Sequence, residues 1–508
     1  MSSQAFVLIV PQGKTPKAED LAKISTIRRA WEPFFKAATD GLGSISTEIK
    51  SGMPQITRQI LGGGMTSFAS RGQASVPAFG YGRLESGTEQ ATGVAFLTGT
   101  SDGRIVTDAA VPATGTWRRA RIYVERTQLA NTGIALAAPY TAAAVTLQLR
   151  NSDGSVASTS VLNLGAGTQV ARFANELFPS FNFPSVFRGN VTLTATAPIA
   201  IVTLRTAVNE TGEFLITTLP VADLDTAPPS TSYITQFTDG AGYGTDIALM
   251  NGTSTQITGT VDFRSPQGAL VSLRINGTDT STTRYSIPPD GTQVFSTGAA
   301  GGLLQSGYIT VRADEGQAGP VARSIISFRQ DGKLLAMTGM FPAVSSNRAR
   351  AFVDMTEGHD SDLAILNDSN RAADVRLTIF DSLGNAVQPS VTVTLQPQAQ
   401  TAQLVSQLFP RLPRGFRGTV EINSLVPVQL VTLRSTLTGD RFLLAAFPIE
   451  PLDISRNERV MFFPYLVDGA GFTSEIFLSN LGTAASAPRL SFTSQAGESL
   501  RLLIGQTK

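Results

Sequence analysis

Apolar and polar side chains alternate in short runs along most of this chain, which is the pattern of half-buried β-strands. Val145, Leu147 and Leu149 alternate with polar residues up to a turn at Asn151–Gly154. Because successive side chains of a strand point to opposite faces, a period of two directs one face toward a core. About seven such runs fall in each repeat, roughly eight to twelve residues apart, and they predict an all-β fold of tandem β-sandwich modules.

One hairpin turn returns four times, and each copy closes on a glycine. Glycine tolerates positive φ because it has no Cβ to clash, and a type I turn followed by a residue at positive φ closes a twisted hairpin. We therefore predict positive φ at all four glycines. They lie 113 to 116 residues apart: Gly154, Gly268, Gly384 and Gly497.

A longer repeat of about 229 residues overlies the first. Val202–Arg205 returns as Val431–Arg434, and Asp239–Tyr243 returns as Asp468–Phe472. Matches in the same order at a nearly constant offset indicate that a pair of unlike modules was duplicated as a unit. One type contains a predicted single helical turn stopped by proline, at Phe173–Pro179 and Leu404–Pro410, where the other has Gly298–Gly302.

The repeat register sets the expected domain boundaries. The last module stops at a position equivalent to about residue 279 and lacks its final sixty or so residues. A half sandwich exposes unpaired edges, so we expect this C-terminus not to be a natural stop. The expected modules are a partial one at 83–118, complete ones at 120–225, 232–345 and 349–450, and a truncated one at 461–508.

Residues 1–80 differ from the repeats and are interpreted as a strand–helix segment followed by a linker. Apolar residues at i+3 and i+4 spacing predict a short amphipathic helix over 16–40, kinked at Pro33. The run Ala5–Val10 lacks a basic flank and a cleavage site, so it is predicted to be a buried strand and not a signal peptide. Gly62–Gly64 and the small polar residues around them predict the linker.

Composition narrows the function more by exclusion than by indication. The chain has 40 basic and 39 acidic residues, a net charge of +1 and no long basic run, so we expect no nucleic-acid partner. It has no cysteine, which excludes disulfides, thiolate metal ligands and cysteine nucleophiles. No apolar window of about 18 residues or more occurs, so no membrane insertion is expected.

Two sequence features invite a catalytic interpretation, and a structural one is favoured for both. Gly99–Gly103 matches the G-x-S-x-G nucleophile elbow, but the elbow needs a strand-to-helix turn and a histidine partner, and this segment lies between two predicted strands. His359 is the only histidine, so a two-histidine zinc site is impossible. It is predicted to lie in a solvated loop, because Ala130 and Asn131 fill its place in the first module.

Aspartates beside glycines are the remaining candidates. Asp239 and Asp468, in the shared Asp-Gly-Ala-Gly-aromatic loop, are the best calcium candidates, but a turn is the default because the loop lacks carboxylates at alternate positions. Glu357, Asp360 and Asp362 cluster in a way that the first module does not repeat. We therefore assign no catalytic, cofactor-binding or metal-ligating residue and expect no cofactor. Four N-x-S/T sequons, which matter only in a eukaryotic secretory setting, lie at Asn209, Asn251, Asn276 and Asn367.

The modules resemble immunoglobulin- or fibronectin-III-like β-sandwich repeats of bacterial secreted or surface proteins, over about residues 83–508. The residues that carry the resemblance are Asn131–Leu136, Asn151–Gly154, Ala171–Pro179, Phe187–Gly189 and the long strand that ends at Arg205. The resemblance implies an extracellular or cell-surface location and a spacer, adhesive or accessory role, but it specifies no activity, since sandwich folds host many functions.

Two functions from different classes follow as hypotheses. The first is a non-enzymatic extracellular repeat protein that acts as stalk, spacer or adhesive surface, with an extracellular protein or a glycan as partner. The alternative is the accessory region of a secreted hydrolase, for instance a metallopeptidase, whose catalytic part lies outside this chain. Carbohydrate binding is weaker, because two Trp and eight Tyr leave few aromatics for a binding face. Upstream sequence with an H-E-x-x-H motif would favour the alternative.

Overall fold

The computed structural model describes residues 55–505 except 73, 74, 299–301, 357, 440, 455–457, 501 and 503. Antiparallel β-strands dominate this part of the chain, which confirms the all-β class. The helix predicted over 16–40 and the strand predicted at Ala5–Val10 lie outside the described residues. Within them, no helix is both long and apolar enough to cross a membrane.

Five strands begin the described chain: β1 (Gln55–Thr57), β2 (Met65–Ser70), β3 (Ala78–Glu85), β4 (Ala91–Ser101) and β5 (Arg104–Pro112). Gly62–Gly64, predicted to be a linker, forms a turn between β1 and β2 instead. A Cβ on Gly62 would lie 2.1 Å from the carbonyl oxygen of Thr483, and Gly63 has a φ of 72°. The linker prediction is wrong because both flanking strands pair with strands from the far end of the chain.

The next strands form unit 1, in which two antiparallel sheets enclose one apolar core. Its elements are β6 (Trp117–Arg126), β7 (Ala130–Ala137), β8 (Ala143–Arg150), β9 (Val156–Leu164), β10 (Gln169–Phe173), α1 (Ala174–Leu177), β11 (Phe187–Val208), β12 (Phe214–Leu219) and β13 (Ala222–Asp223). The first half of β11 pairs with β6 and β8, and its second half pairs with β7 and β12. The single turn α1 confirms the predicted helical turn before Pro179.

Unit 2 has two four-stranded sheets with a core of its own, and a small hairpin beside them. Its strands are β14 (Thr231–Asp239), β15 (Tyr243–Met250), β16 (Ile257–Arg264), β17 (Leu273–Ile275), β18 (Thr278–Thr280), β19 (Thr282–Ile287), β20 (Thr292–Ser296), β21 (Gln305–Ala313), β22 (Val321–Gln330) and β23 (Lys333–Met340). The sheet orders are β14-β21-β16-β19 and β20-β15-β22-β23.

Unit 3 repeats the topology of unit 1, including the predicted helical turn before Pro410. Its elements are β24 (Val344–Met355), β25 (His359–Leu366), β26 (Ala373–Asp381), β27 (Val391–Leu395), β28 (Gln400–Leu404), α2 (Val405–Leu408), β29 (Phe416–Thr438), β30 (Arg441–Phe447) and β31 (Glu450–Pro451). Four more strands follow: β32 (Val460–Asp468), β33 (Phe472–Asn480), β34 (Arg489–Ser494) and β35 (Ile504–Gly505).

The two ends of the described chain interleave to build a fourth unit, which we call the closing unit. Strand β33 lies between β2 and β4 in one sheet, and β34 lies between β1 and β3 in the other. Phe463 and Leu490 from the far end pack with Leu97 from the near end in one buried core. The predicted half sandwich with unpaired edges is therefore wrong, because 55–112 supplies the strands that 460–505 lacks.

The four units are joined in a circuit by the four glycine turns. All four glycines have positive φ, between 82° and 86°, as predicted. In each turn, the carbonyl of the second residue accepts a hydrogen bond from a backbone N–H of the next unit. The four donors and acceptors are Thr292 to Ser152 (2.9 Å), Gln400 to Pro266 (2.7 Å), Met65 to Ser382 (3.0 Å) and Gln169 to Gln495 (3.0 Å).

Four strands, one from each unit, lie around the centre of this circuit. Strand β5 contacts β12, β12 contacts β23, β23 contacts β30, and β30 contacts β5. Side chains join neighbouring strands: the Thr107 hydroxyl donates to the carbonyl of Ile216 at 3.1 Å, and the Gly339 N–H donates to the Thr217 hydroxyl at 2.7 Å. Because the last contact returns to the first strand, the four units form a ring.

Candidate functional site

A cavity of about 230 Å³ opens where the four central strands end. Each strand is followed or ended by a proline of its own unit, and all four prolines line the cavity: Pro112, Pro220, Pro342 and Pro448. Proline has no N–H to donate to a ladder, so it stops strand pairing at these points. The repeat thus places a proline at four equivalent strand ends, and the ring brings the four together. We call this space the axial cavity.

The lining of the axial cavity is almost entirely apolar. Trp117 and Phe341 contribute aromatic rings, aliphatic side chains contribute most of the rest, and no charged residue lines it. Two hydroxyls are present. Thr114 reaches the carbonyl of Gly115 at 3.5 Å, whereas the buried Thr218 hydroxyl has no hydrogen-bond partner among the described residues. Because less than 1 Å² of the Thr218 hydroxyl is accessible, the surface that the cavity offers is almost wholly apolar and can accept an apolar group.

A buried charged cluster lies at the seam between unit 3 and the closing unit. Arg434, 1% exposed, donates to both carboxylate oxygens of Asp108 at 2.7–3.0 Å. It also lies 3.4 Å from Asp354 and from Glu475, both of which Arg417 contacts as well, at 3.1 and 2.7 Å. Burial alone would lower the pKa of Arg434, but the three carboxylates outweigh it and raise that pKa. We call these five residues the charged seam.

The seam between units 1 and 2 has a counterpart at every one of these positions, offset by 229 residues. Arg205 and Arg188 bind Glu125 at 2.7 and 3.1 Å, and Asp246 lies near Arg188 and supports its charge. Met337 replaces Asp108, with its sulfur 2.8 Å from Arg205. Since the same network occurs at two seams with one acid exchanged for methionine, its role is to hold units together. Sequence analysis missed both clusters, although Arg205 and Arg434 recur at the end of an apolar strand.

His359 does not lie in a loop, so that prediction is wrong. It is the first residue of β25, and its Nδ1 lies 2.9 Å from the hydroxyl of Thr436. Burial and the nearby Arg434 lower the pKa of the imidazole, so it is neutral at pH 7. Its counterpart in unit 1, Ala130, is likewise the first residue of a strand, β7.

Of the other candidate residues, Asp360 and Asp362 lie in β25, and the rest of those that the structure describes lie at turns. Ser101 ends β4, and the chain turns through Asp102 and Gly103 at positive φ directly into β5, so the strand-to-helix elbow is not formed. Asp468 is the last residue of β32 and accepts a hydrogen bond from the N–H of Gly72 at 2.7 Å. Asp239 is likewise the last residue of its strand, β14. Among the described residues, no group of three or more metal-ligating side chains could hold an ion. Glu357 lies outside the described residues.

Three of the four sequon asparagines are buried and tie turns to strands. The amide of Asn251 donates to three backbone carbonyls at 2.7–3.1 Å, and that of Asn367 does the same at 2.6–3.1 Å. Asn209 donates to the carbonyl of Leu334 in the neighbouring unit at 2.9 Å. Only Asn276, in the hairpin turn between β17 and β18, is exposed. A glycan therefore has access to one of the four.

Comparison with protein-family models finds no match, and comparison with curated proteins finds none. Among solved structures, an isomalto-dextranase from Arthrobacter globiformis T6 is 14% identical over 39% of this chain and 36% of its own, with a TM-score of 0.14. An infectious bursal disease virus particle is 7% identical over 95% and 89%, with a TM-score of 0.11. A β-galacturonidase from Eisenbergiella tayi is 9% identical over 54% and 48%, with a TM-score of 0.12. Similarities this weak support no statement about function.

Proposed function

We propose that this chain is a non-enzymatic adhesive protein of the cell surface or extracellular space, in which four units act as one rigid platform. The observation that carries the proposal is the circuit of turn-to-unit hydrogen bonds, which ties each unit to the next and returns to its start. Units strung end to end would serve as a spacer. A closed circuit instead holds the loops of all four units in fixed positions, which lowers the entropy cost of binding a partner at several points.

The buried ionisable groups support a structural use of charge. Arg434 and Arg205 form ion pairs with carboxylates at the unit seams, and His359 is hydrogen-bonded inside unit 3. None of them lies in the axial cavity. The partner is proposed to be an extracellular protein or a glycan. The relationship of the units to immunoglobulin- or fibronectin-III-like domains, and the extracellular location, rest on the sequence resemblance and remain predictions.

Small-angle X-ray scattering tests the platform. A compact particle of this length has a radius of gyration of about 23 Å, whereas four units end to end, each about 33 Å long, would give about 40 Å. A value near 40 Å would overturn the ring as the solution form and restore the spacer.

The adhesive role is tested by applying the fluorescently labelled full chain to immobilised extracellular proteins and polysaccharides. Saturable binding without release of peptide or sugar fragments is the expected result. Turnover of any bound polymer by the purified chain would refute the non-enzymatic assignment. Folded protein that binds nothing on such a panel would refute the adhesive one.

A further inference from the structure

The outer edge of unit 1 is formed by strand β9, which pairs with β8 alone among the described residues. We propose that this edge pairs with the same edge of a second copy of the chain, in antiparallel orientation, to form a two-fold symmetric dimer. An unpaired edge strand presents a row of free N–H and C=O groups, and an added strand satisfies them. The proposal is independent of the adhesive function, because it concerns association of the chain with itself.

The corresponding edge strand of each of the other three units is protected against pairing. These strands are β1, β19 and β27, each at the end of its sheet. Strand β1 has three residues, and β27 has five, between Pro389 and Pro397. Strand β19 contains the charged Arg284, and the N–H of Ser286 donates to the side chain of Gln293 at 3.0 Å. Short strands, prolines, charges and covered backbone groups are devices that keep edge strands from associating.

Strand β9 has none of these devices. It is nine residues long and contains neither a proline nor a charged residue. Val156 and Val161 are 48% and 57% exposed. A long, uncharged edge with exposed apolar side chains is the kind that pairs with another strand. Because one of the four outer edges has this character, pairing through it ends at a dimer.

The ring holds β9 at both of its ends. Before the strand, the carbonyl of Ser152 accepts a hydrogen bond from the N–H of Thr292 in unit 2 at 2.9 Å. After it, the carbonyl of Gly167 accepts one from the hydroxyl of Tyr81 in the closing unit at 3.1 Å. A strand that is already fixed loses little conformational entropy when a partner strand is added.

The direction of the backbone groups shows which residues of β9 are available for pairing. The N–H of Ala144, in β8, donates to the hydroxyl of Thr196 in β11 at 3.0 Å, away from β9. Backbone groups alternate in direction along a strand, so Leu147 bonds to its partner Ser160 in β9. By the same alternation, the residues on either side of Ser160 direct their N–H and C=O groups outward. They are Thr159, Val161 and Asn163.

Self-pairing in one register satisfies these groups. Ser160 is the middle residue of β9, so a two-fold axis there pairs the strand along its whole length. Thr159 of each copy then lies opposite Val161 of the other and exchanges two hydrogen bonds with it. Each exposed valine gains a cross-strand neighbour, and no charges are brought together. A shift of one residue would set outward-directed groups against inward-directed ones and leave both unpaired.

Sedimentation velocity of the full chain, from about 1 to about 100 µM, tests the dimer. We expect a reversible monomer–dimer equilibrium with a dissociation constant in the micromolar range, as for a small interface. Thr159→Lys combined with Val161→Lys sets like charges opposite each other and should weaken association at least tenfold. The control, Thr392→Lys combined with Thr394→Lys on the exposed side of β27, should leave it unchanged.

A charge exchange tests the register. Thr159→Glu combined with Val161→Glu should also prevent self-association, whereas an equimolar mixture of the lysine and glutamate variants should form a dimer with one chain of each. Hydrogen exchange of the wild type provides a readout that needs no substitution. Exchange of the β9 amides should slow as the concentration rises, and that of the β27 amides should not. In X-ray scattering, the dimer doubles the particle mass, whereas an opened ring keeps the mass of one chain.

Several outcomes would overturn the proposal. A wild-type chain that is monomeric at about 100 µM would do so, as would equal effects of the two lysine pairs on association or a mixture without the mixed dimer. Assemblies that grow beyond the dimer would assign the association to another surface. Should the lysine variants fail to fold, concentration-independent exchange at β9 in the wild type would refute the pairing.

Discussion

Replacing Arg434 with methionine should destabilise the protein strongly and in a pH-dependent way. Asp108 is 3% exposed, and Arg434 is the cation that binds it, while Asp354 and Glu475 also contact Arg417. Removing one member of a buried ion pair leaves an uncompensated charge and costs about 3–5 kcal/mol. Arg434 also lies 3.5 Å from the centre of the Phe96 ring, a contact that adds about 1 kcal/mol or more when desolvated. We expect Arg434→Met to lower the free energy of unfolding by about 4 kcal/mol at pH 7.

The other seam provides the matched control. Arg205→Met removes the equivalent guanidinium, but its partner Glu125 retains Arg188 at 3.1 Å, and Met337 needs no cation. We therefore expect this variant to lose only about 1.5–3 kcal/mol, the contribution of a hydrogen bond to a charged group. Adding Asp108→Met to Arg434→Met places at position 108 the residue that its counterpart Met337 has in the other seam. The double variant should recover most of the loss, because replacing a buried ion pair by apolar residues is often nearly neutral.

Urea unfolding followed by far-UV circular dichroism at pH 7 and pH 5 measures these differences. Arg434 lowers the pKa of Asp354 and of Glu475. In Arg434→Met this lowering is lost, so the folded state binds protons more readily and the loss should shrink as the pH falls. Equal losses for the two arginine variants would refute the reasoning, as would failure of the Asp108→Met rescue.

Three further substitutions have defined outcomes in the same unfolding assay. Gly268→Val places a β-branched residue at a φ of +86° and should cost at least about 1–3 kcal/mol. The control Gln267→Val, one residue earlier and exposed, should cost less than about 0.5 kcal/mol. Equal losses would mean that positive φ at Gly268 does not contribute to stability. Burial and then Asp360 raise the pKa of Asp362 from 3.8 to about 7. The folded state therefore binds this proton more tightly than the unfolded state, and the free energy of unfolding of the wild type should fall by on the order of 4 kcal/mol as the pH rises from about 4 to about 7. Asp362→Asn should abolish that slope, and an unchanged slope would assign it to other groups. Asn251→Asp replaces an amide that donates to three carbonyls by a buried charge and should cost about 3 kcal/mol or more at pH 7. The exposed Asn276→Asp should be nearly neutral, and the same loss in both would contradict the anchoring role.

Local features of the fold could be predicted from the sequence because their causes are local. The positive φ of Gly268 and its counterparts follows from turn chemistry, and the helical turn before Pro179 follows from the missing N–H of proline. The prediction failed at His359, which was assigned to a solvated loop because Ala130 and Asn131 fill its place in the first module, whereas it begins strand β25. A strand that begins with a polar residue looks the same as a loop when its burial depends on a neighbouring unit.

The ring itself depends on contacts between residues hundreds of positions apart, which periodicity does not report. Yet the repeat offset contained a clue. Lys508 corresponds to about residue 279, and Gln55 corresponds to residue 284 at the same offset of 229. The two partial modules thus supply complementary halves of one unit. The axial cavity could not be predicted in the same way, because four prolines converge only once the ring is closed.

The interleaved closing unit has a consequence for how this protein is made. Leu84 pairs with Leu490, so strands near the start of the described chain must wait for partners more than 400 residues later. At a synthesis rate of roughly 5–20 residues per second, that wait lasts roughly 20–80 s. During this time β2 and β4 flank an empty slot with unpaired edges, while units 1 to 3 can already fold. The ring therefore closes last. Until then the nascent chain is most exposed to aggregation at β2 and β4, the strands whose later pairing closes the ring.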